Sequence, residues 1–250
     1  MLPALSRLGI PVPLGGTSNH FPRAVIEAVG GWDPFNVTED AELGIRLARR
    51  RLAVLVLDST TWEEAPIAAG VWLRQRTRWI KGWMQTWLVQ MRDPLACSRE
   101  LGFGGFIGLQ ALMGGLVLSA LVHPLFYLLA AAEFLREAPF QRPDDGLGQA
   151  VWMIAAFNLA AGYLSAMALG AVAALRRGRY REALAVPAMP LYWLAISVAA
   201  YRALAQLAYA PHLWEKTAHG STRRNAGARG HPARAAAPRA TRSPRADGSA

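Results

Sequence analysis

FGGFIGLQALMGGLVLSALVHPLFYLLAAA, residues 103–132, runs for 30 residues without an Asp, Glu, Lys or Arg, and GLGQAVWMIAAFNLAAGYLSAMALGAVAAL, residues 146–175, does the same. A bilayer crossing takes about 20 apolar residues, so each stretch is long enough to span with room for tilt. The glycines within them, Gly114, Gly115, Gly162 and Gly170, suit close helix packing in lipid. The alternative is a pair of buried core helices, but such helices rarely run so long without a charge. A third apolar stretch begins at Ala183 and is interrupted by Pro187 and Pro190. Over 183–209 the expectation is an interfacial or re-entrant helix broken near those prolines, with a third full span as the alternative.

The connections between these stretches differ in charge. Arg176, Arg177, Arg179 and Arg181 follow the second, whereas Glu133, Glu137, Asp144 and Asp145 outnumber Arg136 and Arg142 before it. Positive charge marks the cytoplasmic side, which places 176–182 inside, 133–145 outside, and the segment before the first span inside. From His212 onward eight basic residues face two acidic ones, leaving +6 of the chain's +10 in a tail with almost no large apolar side chains after Trp214. Such a tail cannot bury enough surface to fold. Beside a membrane it marks the anionic cytoplasmic leaflet and gives no reason to invoke nucleic acid. Residues 1–13 lack the features of a signal peptide. Cys97, the single cysteine of the sequence, excludes an internal disulfide and a cysteine metal cluster and reads as a small interfacial hydrophobe.

The 250 residues thus divide into a globular segment, 1–100, a membrane region, 101–211, and a basic tail, 212–250. Within 1–100 the pattern reads as helix alternating with strand. A short helix is expected over 22–29, with Pro22 in the first turn and Gly30-Gly31 as its stop. Thr38 is a candidate N-cap for a helix over 39–51, since Ala41, Gly44, Ile45, Ala48 and Leu52 share one face. The run AVLVL, 53–57, is short and rich in β-branched residues, as a buried strand should be. The order indicates an α/β layer structure, although 100 residues are too few for a complete nucleotide-binding domain of that class.

Three constellations can carry chemistry. Thr38-Glu39-Asp40 sets adjacent carboxylates at a helix start, where the helix dipole alone would favour them. In a helix expected to begin near Pro66, Trp72, Arg76, Trp79, Trp83 and Trp87 recur on one face, and Arg74, Arg78, Lys81 and Gln85 on another. A cationic face backed by indoles suits a diphosphate and a stacked sugar ring; it equally suits an amphipathic helix on anionic lipid. The third cluster is Trp214-Glu215-Lys216-Thr217-Ala218-His219-Gly220, which reads as an interfacial anchor or a gating contact.

Taken in order, GGTSNHF at 15–21, GGWDPFNVTED at 30–40, the Q-R-x-R-W signature at 75–79 with KGWMQT to 86, and WEKTAHG at 214–220 resemble the bacterial cellulose-synthase-like membrane branch of family 2 glycosyltransferases. The likeness covers about 15–220. It implies the later part of a GT-A type α/β domain followed by transmembrane helices, multi-pass in the cytoplasmic membrane with the transferase segment and tail in the cytoplasm. It also implies transfer from a nucleotide-sugar donor to a glycan or lipid-linked acceptor, with the lipid bilayer as a partner. Asp40 would be the general base, with Glu39 and Thr38 beside it; Gln75, Arg76 and Arg78 would contact the diphosphate and Trp79 the acceptor. The helical spacing favours Arg78 over Arg76 for the phosphate. Mg²⁺ or Mn²⁺ is expected for the family, but the nucleobase aspartate and the Asp-x-Asp metal motif have no counterpart, and no Asp-x-Asp occurs in the sequence. No metal ligand is therefore assigned to this chain, which is expected to be inactive in isolation. The alternative is a truncated, non-catalytic membrane protein or partner subunit.

Overall fold

The computed structural model describes residues 2–57, 59–61, 63–135 and 144–215. Within them the elements are α1 (Leu2–Arg7), α2 (Arg23–Val29), α3 (Glu39–Arg49), α4 (Ala69–Gln90), α5 (Pro94–Leu109), α6 (Gly115–Leu135), α7 (Gly146–Arg176), α8 (Tyr180–Leu184) and α9 (Met189–Tyr209). Pro22 caps α2 in extended backbone, and Gly30 closes it in the left-handed region at φ 86°, as a helix stopped by glycine requires. Helix α3 ends two residues earlier than expected, at Arg49, because Arg51 turns to φ 58°. Helix α4 starts at Ala69, three residues after Pro66.

The first uncharged stretch is continuous helix. Gly102 breaks α5 with non-helical backbone (φ 72°, ψ 164°), after which the helix passes through a π-turn at Gln110–Gly114 into α6. Asp145 caps α7 by accepting the Gly148 N–H at 2.6 Å. A 3₁₀ turn at Val186–Ala188 precedes α9, so the break near Pro187 and Pro190 is present. Pro94–Leu129, Gly146–Arg176 and Val186–Tyr209 are each long and apolar enough to cross a membrane. Residues 136–143 of the connection before α7 and the tail from Lys216 lie outside the described residues.

The strand expected at 53–57 does not form, and the described residues contain no strand. Leu55 and Leu57 are 82% and 75% exposed. A strand is stable only beside another strand that accepts its ladder hydrogen bonds, and no described segment is in place to do so. The residues instead run as extended chain, tied at Val54, whose carbonyl accepts the Ser6 hydroxyl at 2.6 Å. The α/β expectation is therefore not met by the described residues, which are helical.

Two apolar clusters position α4. Ile80 and Met84 pack against Val117 and Ala120 of α6 and the small residues Ala199, Ala200 and Ala203 of α9, so α4 and α9 approach closely along their length. Ala41 and Ile45 of α3 pack with Cys97, Leu109 and Met113, backed by Trp83 and Trp87; Cys97, expected as a small interfacial hydrophobe, is fully buried in this cluster. Together these clusters fix α3 and α4 relative to the apolar helices.

Candidate active site

The start of α3 is seated on one row of α4. Thr38 occupies the N-cap position, but its side chain makes no capping bond; its N–H and hydroxyl both donate to Asn36 Oδ1, at 2.9 and 3.3 Å. The Asn36 amide in turn donates to Thr86 Oγ1 at 2.8 Å, and Arg78 Nη1 donates to the Val37 carbonyl at 3.3 Å. Between these contacts lies Gly82, where a Cβ would come within 2.5 Å of Thr38 Cγ2. Residues 78, 82 and 86 are spaced by four, so one stripe of α4 receives residues 36–38. Glycine at 82 allows that approach.

Beyond Thr38 stand the two carboxylates. Asp40 Oδ1 accepts the Ala41 N–H at 2.7 Å, and Oδ2 faces Gly16 of the GGTSNHF loop, where a Cβ would lie 3.4 Å from it. Burial pushes the Asp40 carboxyl above its ordinary pKa; the Ala41 N–H opposes the rise, Glu39 adds to it, and Arg78 pulls it back. Burial likewise lowers the pKa of the Arg78 guanidinium, against the charges of Glu39 and Asp40 that hold it up. Asp40 and Arg78 therefore sense one another at a partly desolvated position.

The Q-R-x-R-W helix divides as its periodicity predicts. The Arg76 guanidinium lies over the rings of Trp72 and Trp79, at 5.9 and 4.4 Å from their centroids, on the aromatic face. Arg78 lies 5.3 Å from the Trp214 centroid on the polar face. Below it, Lys81 Nζ donates to the Leu213 carbonyl at 2.7 Å and the Ala210 carbonyl at 3.3 Å, and Gln85 donates to the Pro211 carbonyl at 2.9 Å. Glu215 closes this segment with a bidentate pair to Arg202 at 2.5 and 2.6 Å. The last segment of described chain is thus strapped along the polar face of α4, which uses Trp214 and Glu215 of the third constellation; Lys216 to Gly220 lie outside the described residues.

Thr38, Glu39, Asp40 and Arg78 come together. Arg76 and Trp79 lie on the other side of α4, lining a cavity of about 1090 Å³ with residues of α6, α7 and α9. Gln75 is buried, and its Oε1 has no hydrogen-bond partner among the described residues; the same holds for Arg76 Nε, Thr77 Oγ1 and Arg78 Nε. Buried polar atoms are normally satisfied, and these four are spread over both faces of α4, Arg76 Nε on the aromatic side and Arg78 Nε on the polar side. Asn36, Thr86 and Gly82 were not among the expected site residues, and Lys81, expected on the cationic face, is spent on the Leu213 and Ala210 carbonyls. A glycine inside a helix was the available signal, since it costs about 1 kcal/mol relative to alanine and usually has a packing reason.

The divalent metal that the family implies finds no fit in the residues described. No group of three or more His, Cys, Asp or Glu side chains gathers among them, and the cationic neighbour of Glu39 and Asp40 is Arg78. No step is assigned to a metal here.

Known proteins agree with the reading at family level. Over 68 residues, 27% of this chain and 16% of the relative, the sequence is 41% identical to a probable glycosyltransferase, YdaM, of Bacillus subtilis (strain 168). Over 105 residues, 40% of this chain and 22% of the relative, it is 30% identical to a beta-monoglucosyldiacylglycerol synthase of Synechocystis sp.. The matched part spans less than a quarter of either relative. No solved structure matches significantly. The family model for glycosyl transferase family group 2 matches residues 3–198, and the chain belongs to that family.

Proposed function

We propose that this chain carries the acceptor-side portion of a membrane glycosyltransferase of the cellulose-synthase-like branch, which moves a sugar from a nucleotide-sugar donor to a polysaccharide or lipid-linked acceptor at the cytoplasmic face of the cell membrane. The observation that carries the proposal is the seating of Thr38-Glu39-Asp40 on Gly82 of α4, with Arg78 directed at the same place.

Asp40 takes the proton of an acceptor hydroxyl as that oxygen attacks the anomeric carbon, which inverts the centre. Its raised pKa makes it a stronger base than an exposed aspartate once ionised. Arg78, with Gln75, binds the leaving diphosphate through charge-assisted hydrogen bonds, and a bidentate guanidinium suits that geometry. Trp79 stacks on the acceptor. The donor-binding strands and the metal ligands belong to a GT-A type portion that these residues do not include, so the chain alone is expected to be inactive. The competing reading is a non-catalytic membrane protein or partner subunit.

The test incubates membranes carrying the protein, joined to its donor-binding portion, with a panel of nucleotide sugars, and identifies the product by mass spectrometry. Asp40→Asn should abolish transfer while leaving expression intact and the unfolding temperature no lower than the parent's. Transfer that survives Asp40→Asn within a few-fold removes the proposed base; no transfer from any donor favours the non-catalytic reading.

A further inference from the structure

The cavity behind α4 meets the chemistry just described only at Trp79. It measures about 1090 Å³, at the upper end of the roughly 300–1,000 Å³ usual for small-molecule sites. Its walls are mostly Ala, Leu, Ile, Val and aromatic side chains of α6, α7 and α9, with Ser119, His123 and Asn158 among them, and all three helices are apolar enough to cross a membrane.

Besides Ser119 and Asn158 on the wall, its polar groups fall into two sets. His123, Tyr163 and Tyr127 bond one another, Tyr163 to His123 at 2.6 Å and to Tyr127 at 2.7 Å, with Trp193 set against the Tyr163 ring at 4.7 Å. That set spends most of its hydrogen-bonding capacity internally, so it offers a sugar chain few partners for its many hydroxyls. The other set is Arg76, held against the Trp79 ring, with a buried Nε that has no hydrogen-bond partner among the described residues. Arg76 is the one Lys or Arg side chain on a mostly apolar lining, which is complementary to one anionic group attached to hydrocarbon.

From this charge complementarity we infer that the cavity between α4, α6, α7 and α9 binds the acyl chains of a membrane lipid whose phosphate-bearing headgroup sits on Arg76, and that this lipid is the sugar acceptor. The second clause rests on the proposed transferase function. A headgroup hydroxyl loses its proton to Asp40, its oxygen bonds to the anomeric carbon, and the carbon–oxygen bond to the diphosphate breaks, the electron pair leaving with the nucleoside diphosphate. The reaction consumes a hydroxyl-bearing phospholipid and yields its glycosylated form.

The test uses the full chain reconstituted in phosphatidylcholine bilayers containing a phosphatidylglycerol with a photoactivatable group in one acyl chain. After illumination, labelled peptides are mapped. Labelling should concentrate on cavity-lining positions such as Phe126 and Trp193. Unlabelled phosphatidylglycerol should compete at least tenfold better than diacylglycerol of the same chains. No atom lies within 4 Å of a Cβ built at Gly162 on the cavity wall. Gly162→Phe should therefore fill the space, lower labelling at least threefold, and leave the unfolding temperature unchanged or raised. Phe157→Trp, on an outward position that is 71% exposed, should change nothing. Arg76→Ala should erase the preference for phosphatidylglycerol. Labelling spread evenly over outward-facing residues, or unchanged by Gly162→Phe, overturns the cavity assignment; equal competition by the two lipids overturns the phosphate assignment. Cavity labelling with no sugar transfer would leave the lipid site standing and remove the acceptor role.

Discussion

Gly82→Ala tests the seating of α3 on α4 most directly. The new methyl would lie 2.5 Å from Thr38 Cγ2 and 2.7 Å from Thr38 Cβ, whereas carbon atoms rest about 3.5–4.0 Å apart. Thr38 must retreat by roughly 1–1.5 Å. It is buried and tied to Asn36, which is tied to Thr86, so the retreat strains or breaks that chain. Overpacking costs about 1–3 kcal/mol, and one or two lost hydrogen bonds add about 1 kcal/mol each. Removing glycine from a helix interior returns about 1 kcal/mol. The expected net loss is about 1–4 kcal/mol, read by thermal unfolding of the detergent-solubilised chain. Gly104→Ala, at a glycine with nothing within 4 Å of its Cβ position, should be neutral or stabilising by up to about 1 kcal/mol. In a Thr38→Gly background the cost of Gly82→Ala should vanish, a coupling of at least about 1 kcal/mol. Equal costs of Gly82→Ala in both backgrounds would refute the contact. In the enzyme joined to its donor-binding portion, the same displacement of Asp40 should lower turnover about 100-fold.

Asp40→Asn should stabilise the protein at neutral pH: the folded-state pKa is raised, so the stabilising linkage exists below the usual carboxylate range and is lost as pH rises through the folded pKa. The gain in unfolding temperature should disappear in acid, and a gain that persists there would contradict the assignment. Glu215 has the opposite sign. Its pairing with Arg202 lowers its pKa, so its contribution is present above about pH 4.5 and fades as pH falls, and Glu215→Gln should remove that part of the acid sensitivity. Arg46→Ala should cost about 2–3 kcal/mol, because Arg46 bonds Glu42 and donates to the Val29 and Gly31 carbonyls at 2.7 Å each; unfolding midpoints of variant and parent measure it. Arg78→Ala should reduce donor turnover at least 100-fold with little loss of stability, while Arg99→Ala should leave both unchanged; equal effects would count against Arg78 as the phosphate contact.

What the sequence made legible follows from the range of the interactions involved. The apolar helices are visible because membrane compatibility is written in composition over 30 residues at a time. The two faces of α4 are visible because a helix repeats every 3.6 residues, which put Arg76 with Trp72 and Trp79 and set Arg78 apart. The AVLVL run misled because its composition suits a strand, while strand formation depends on neighbours distant in sequence. The Asn36–Thr86 bond joins residues 50 apart, and nothing local marks it. Thr38 shows the limit at shortest range. Its type and place fit an N-cap, yet its hydroxyl serves Asn36, since that bond also locks it against Gly82.

The division of α4 into two working faces bears on the transfer itself. Consecutive helix positions are turned by about 100° and lie 3.8 Å apart at Cα, so Arg78 and Trp79 address different spaces from almost the same point on the helix. Under the proposed function, Arg78 and Asp40 hold the reacting centre on the polar side, and Trp79 with Arg76 borders the apolar cavity. An acceptor whose hydrocarbon part occupies the cavity has only the rim of one helix, about 10 Å wide, to cross before its hydroxyl meets Asp40. A long soluble glycan gains nothing from that proximity, whereas a membrane-anchored acceptor is held beside α4. If the carboxylate and the cavity work on one molecule, then moving Trp79 should impair transfer without changing the donor's KM. Trp79→Ala is accordingly expected to raise the acceptor's KM about tenfold or more, in line with the loss of 1–3 kcal/mol of stacking, and a change confined to the donor's KM would separate the two faces and sink the shared-acceptor argument.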